Sequence, residues 1–185
     1  ALFLITCPKE SQAQVWKVCI EEAQSEAAMN EGVLGLAPSE AEGIVSQISD
    51  TIGLNRPVDV VPCEFMRDIA IVPPTAPSVG DYILINTGLL SFVLDGDTPE
   101  QAHFIVAHEL AHILNADFSP KKAAMARRQK EDEADLFGVC AVARLGGSWT
   151  NLERFLKRLR SVEHDDYSLY DEVSDALKTR FENCA

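Results

Sequence analysis

At 185 residues the chain has the length of one ordinary domain, and 46% hydrophobic with 24% charged residues is a globular balance. That excludes a disordered tail, a collagen-like rod and a disulfide miniprotein, and no apolar run reaches the length of a membrane span. Sixteen Lys and Arg against 29 Asp and Glu give a formal charge of −13, which repels nucleic acid and anionic lipid.

No repeat and no long polar linker interrupts the chain, so residues 1–185 read as one unit. Trp16, Ile20, Ala23 and Ala27 fall at helical spacing and predict a helix over 11–30. Ile44, Val45, Ile48 and Ile52 predict a second over 39–54. The character then changes. Residues 58–61, 69–72 and 82–85 are short, β-branched and apolar, and read as strands, the last two as a hairpin around Pro73, Pro74, Pro77 and Gly80.

Thr98, Pro99 and Gln101 form a helix-start signal, with a capping threonine, proline at the first position and glutamine at the third. The helix they open runs to about Asn115 and is apolar nearly all round, as a buried central helix should be. Ser119-Pro120 opens another that ends near Gly146-Gly147. Leu152, Phe155, Leu156 and Leu159 mark a further helix, and Leu169, Val173, Ala176, Leu177 and Phe181 the last.

The chemistry is concentrated in the central helix. His108-Glu109-Leu110-Ala111-His112 is an HExxH pattern. On a helix the two histidines project from one face, one turn apart, and suit two corners of a single zinc tetrahedron. Glu109 points to the neighbouring side, within reach of a metal-bound water. The flanks Phe104, Ile105, Val106, Ile113 and Leu114 argue against a solvated helix face. The third ligand must come from elsewhere, and Glu131-Asp132-Glu133-Ala134-Asp135 follows 19 positions after His112. Glu131 and Asp135 share a helix face, and Ala134 and Gly138 are small enough to let two helices approach. The expected assignment is Glu131 on the metal and Asp135 accepting the free N–H of a ligand histidine. Glu133, which points away from Asp135, is the rival ligand.

Taken together, HExxH, a glutamate 19 positions on and an aspartate four beyond it resemble the gluzincin metallopeptidases. Ile83-Leu84-Ile85-Asn86-Thr87-Gly88-Leu89-Leu90, His108 to His112 and Glu131 to Gly138 are similar to the HtpX/Oma-like branch. The short spacing between the histidines and the glutamate is closer to the minigluzincins, with a weaker similarity to ImmA/IrrE-like peptidases. The resemblance covers about residues 65–147. It implies an α+β, zincin-like fold, with a small, mostly antiparallel sheet packed on the HExxH helix and a second, Glu-bearing helix. In that arrangement 1–56 would be helices packed on the core, 57–147 the catalytic core and 148–185 the C-terminal helices. It also implies one zinc ion on His108, His112 and Glu131, with Glu109 as the general base of a hydrolase.

The activity so implied is that of a zinc endopeptidase, a metalloprotease acting on polypeptide laid extended along a sheet edge, at 82–85 or 69–72. The alternative is a zinc-binding regulatory or latent protein that binds a partner with little cleavage. Gluzincins often use a downstream side chain to stabilise the oxyanion, and His164, Tyr167 and Tyr170 are candidates. His103 lies well round the helix from His108 and is not expected to bind metal.

Five cysteines, Cys7, Cys19, Cys63, Cys140 and Cys184, show no CxxC spacing and are odd in number. They are expected to be reduced, buried thiols of a cytoplasmic protein; the alternative is an exported or periplasmic protein with a Cys7–Cys184 bridge. The first seven residues lack a basic segment and are too short for a signal peptide.

Overall fold

The computed structural model describes residues 17–21, 38–54, 57–63, 69–72, 81–86, 98–115, 126–161 and 167–185. By their contacts the residues fall into two units, Ala1–Asp95 and Gly96–Ala185.

In the first unit, residues 17–21 are helical and helix α1 spans Pro38–Ile52. Ile44, Val45 and Ile48 of α1 are buried at the predicted spacing, and α1 packs against strand β1, Val58–Pro62. Strand β2 is Ile69–Val72 and strand β3 is Asp81–Ile85. The sheet order is β1-β3-β2. β2 and β3 are antiparallel, as the hairpin reading requires, with Ile69 opposite Ile85. β1 and β3 run parallel, with Val58 opposite Asp81. The sheet is therefore mixed, not mostly antiparallel. β3 is its centre, which corrects the expectation that 82–85 offers a free edge. Ile83, Leu84 and Ile85 are all fully buried, and an unbroken apolar run of this kind is what a strand covered on both faces requires.

Cysteine chemistry also departs from expectation. Cys19 is bonded to Cys63, with Cα atoms 5.4 Å apart, and the pair packs with Val61 and Leu84 in the core of the first unit. Cys140 is bonded to Cys184 at a Cα separation of 5.2 Å. Both separations are ordinary for disulfides. Cys184 thus pairs with Cys140 and not with Cys7, which lies outside the described residues together with 22–37 and 116–125.

The second unit is helical: α2 is Pro99–Leu114, α3 Arg127–Arg144, α4 Trp149–Leu159 and α5 Tyr170–Cys184. α2 starts where Thr98 and Pro99 place it, but Thr98 makes no side-chain cap. Every residue of α2 from Glu100 to Ile113 except His103 is buried. α3 packs along α2 on one side and α5 on another. Gly138 makes the first contact close: a Cβ there would lie 2.8 Å from two Phe104 ring carbons. Beyond the cap residue Leu145, α3 is closed by Gly146, whose φ of 77° suits glycine. The Gly146 N–H donates to Ala143 O and the Gly147 N–H to Val142 O, each at 2.9 Å, a complete Schellman turn. Glu100 reaches from α2 to the start of α4, accepting from Ser148 N–H at 2.9 Å and Asn151 Nδ2 at 3.3 Å.

Candidate metal site

Helical spacing brings His108 and His112 together on α2, with ring centroids 4.9 Å apart and planes at 79°. Phe104, one turn earlier, packs on His108 at 5.9 Å and on Phe155 of α4 at 5.8 Å, which seats the first ring. From α3, Glu131 enters the same space. His108 Nε2 lies 3.2 Å from His112 Nε2 and 3.2 Å from Glu131 Oε2. His112 Nε2 lies 3.6 Å from that same oxygen. Three atoms of the right chemistry thus face one point.

The spacing can be tested against a metal. Zinc–ligand bonds of about 2.0–2.2 Å put neighbouring atoms of a tetrahedron about 3.3–3.6 Å apart. The three observed edges, 3.2, 3.2 and 3.6 Å, match that triangle closely. His108, His112 and Glu131 form a buried group placed to hold a metal ion, and two imidazoles with one carboxylate are donors that zinc accepts.

Asp135 lies one turn beyond Glu131 on α3. His108 Nδ1 donates to Asp135 Oδ1 at 2.9 Å, which in the neutral ring leaves Nε2 as the lone-pair nitrogen. The other Asp135 oxygen accepts from Arg160 Nη2. The rival Glu133 is turned outward and accepts from Gln129 Nε2 at 3.4 Å. His103 is only half buried and stands apart from the group.

The charges of the cluster are compatible with a cation. Glu109, Glu131 and Asp135 are three buried carboxylates, and Arg160 is the one buried Lys or Arg among the described residues. With neutral histidines and ionised carboxylates these four groups carry a formal charge of −2, which a divalent ion would neutralise, and isolated buried charge is otherwise costly. Protons answer the same demand when metal is absent. Burial opposes a charged His108, but the bonds to Asp135 and Glu131 outweigh it and raise its pKa to about 10. For Glu131, burial pushes upward, but the two histidines win and hold its carboxyl far below the usual range. Glu109, buried beside them, is pushed up by desolvation despite both histidines.

Of the candidates downstream, Tyr170 Oη donates to Glu153 Oε1 at 3.0 Å, away from the cluster. Tyr167 lies on the Arg160 guanidinium, with the ring centroid 4.4 Å from Cζ. Burial, then the charges of Glu131 and Glu109, push its phenol upward, so it stays protonated. His164 lies outside the described residues.

The residue that the motif reading misses is Arg160, only 3% exposed. Its signal is its position, four residues after Leu156 and eight after Leu152, which continues the buried stripe of α4 onto the residue that caps it. Comparison of the chain with protein-family models, curated proteins and solved structures gives no match.

Proposed function

We propose that the protein is a zinc-dependent endopeptidase of zincin-like fold, with His108, His112 and Glu131 as ligands and Glu109 as general base. The observation that carries this reading is the convergence of two Nε2 atoms and one carboxylate oxygen at tetrahedral spacing, backed by Asp135 on the far nitrogen of His108. When bound, zinc would acidify a water in its fourth position and polarise the scissile carbonyl. The roles proposed for this chain's own residues are these. Glu109, adjacent in sequence to one ligand and electrostatically coupled to both histidines, takes the proton of the attacking water and passes it to the leaving amine. Asp135 keeps His108 in the tautomer that offers Nε2.

Two disulfides are rare in a reducing compartment, so they support an oxidising location over the cytoplasm. No described helix is long and apolar enough to cross a membrane.

Burial favours a second reading beside the first. Glu109, His108, His112 and Glu131 are each no more than 2% exposed, so a polypeptide reaches them only after some displacement. In that reading the centre is latent, or the protein binds a partner and cleaves little. Hydrolysis of a peptide library or casein, abolished by a chelator and restored by zinc, supports the endopeptidase. Stoichiometric zinc with no cleavage supports the latent centre.

A further inference from the structure

We propose that Arg160 is a positioning residue of this centre, holding Asp135 oriented so that Asp135 fixes His108 as a metal ligand. The proposal rests on the metal reading above. Its basis is the division of labour at Asp135, whose two oxygens are split between His108 Nδ1 and Arg160 Nη2. Rotation of the carboxylate would break both bonds together. Asp135 is 1% exposed and Arg160 3%, so water offers neither a substitute partner.

The guanidinium is itself held. Tyr167 covers it at 4.4 Å, and the next residue, Ser168, donates to Asp132 Oδ2 on α3 at 2.9 Å. The segment that enters α5 is thus tied to the helix that carries Glu131 and Asp135. A chain of contacts runs from Tyr167 through Arg160 and Asp135 to His108, drawing in turn on the segment before α5, the C-terminal cap of α4, α3 and α2. The charge count makes the same demand. With a divalent ion in place, the three carboxylates of the cluster, Glu109, Glu131 and Asp135, are balanced in formal charge only if Arg160 contributes its own. A lysine keeps that charge but lacks the planar fork that fits both a carboxylate and an aromatic face.

The test is the zinc dissociation constant, measured by chelator competition on folded protein for wild type, Arg160→Met, Arg160→Lys, Asp135→Asn and the Arg160→Met/Asp135→Asn double variant. Arg160→Met should weaken zinc binding about 10–100-fold, the usual effect of losing a partner behind a ligand. Arg160→Lys should recover part of the loss. If Arg160 acts through Asp135, Arg160→Met should change little once Asp135 is already Asn. Wild-type affinity in Arg160→Met, or a loss that simply adds to that of Asp135→Asn, overturns the proposal. Should Arg160→Met fail to fold, Arg160→Lys decides: an intermediate affinity supports the role and an unchanged one overturns it. A wild-type protein that binds no zinc overturns the metal reading itself and this proposal with it.

Discussion

Gly138 lies directly against Phe104: a Cβ at this position would meet two ring carbons at 2.8 Å and the Phe104 carbonyl oxygen at 3.2 Å. The contact sets the separation of α2 and α3, and therefore of the histidines from Glu131. In an open helix, alanine in place of glycine gains about 1 kcal/mol. Here overpacking, typically about 1–3 kcal/mol, offsets that gain because one of the atoms is backbone. Gly138→Ala should lower the urea midpoint and weaken metal binding together. A more stable variant with unchanged metal affinity would show that the helices are not held at this distance by the glycine.

Glu109 is not among the ligand atoms, so Glu109→Gln should keep both the fold and the metal. The amide is nearly isosteric but cannot accept the proton. General-base catalysis is worth about 10²–10⁴ in rate, and peptide hydrolysis should fall by that factor with zinc content unchanged. If the variant cleaves as fast as wild type, Glu109 is not the base.

The site was legible in the sequence wherever helical geometry alone decides. His108 and His112 are one turn apart, Glu131 and Asp135 are one turn apart, and Gly138 marks the approach, so spacing settles which side chains share a face. What the sequence hid depends on partners distant along the chain. An arginine at a helix end, such as Arg160, ordinarily reaches solvent, and only its buried carboxylate partner turns it inward. The hairpin between β2 and β3 follows from local apolar runs and prolines. The parallel pairing of β1 with β3 is non-local and has no comparable signal. Cysteine pairing was hidden for the same reason, since spacing does not determine connectivity.

The Cys140–Cys184 bridge fastens the end of α5 to α3, five residues beyond Asp135. A closed loop spanning 44 residues in sequence corresponds to a loop-entropy stabilisation of up to about 4 kcal/mol. The Cys140→Ser/Cys184→Ser double variant should melt at lower temperature than wild type, by an amount that calorimetry resolves. A melting temperature within a degree or so of wild type would contradict a structural bridge at this position.

Glu100 predicts a pH dependence away from the metal. Burial opposes its ionisation, but the bonds from Ser148 N–H and Asn151 hold its folded-state pKa below the ordinary 4.5. A depressed pKa means the unfolded chain binds the proton more readily. Its contribution is therefore complete above pH 4.5 and declines as pH falls through the lower folded value. In the presence of chelator, the unfolding free energies of wild type and Glu100→Gln should differ near neutral pH and converge in acid. A constant difference across that range would show that the charge of Glu100 is not what ties α2 to α4.

The central claim is that one divalent metal sits between α2 and α3. It is tested most directly by metal analysis of purified, zinc-equilibrated protein beside His112→Ala and Glu131→Gln, each verified as folded. The account predicts about one zinc per chain in wild type, with both variants losing it on dialysis. Full zinc retention in folded His112→Ala, or no stoichiometric metal in wild type, would contradict it.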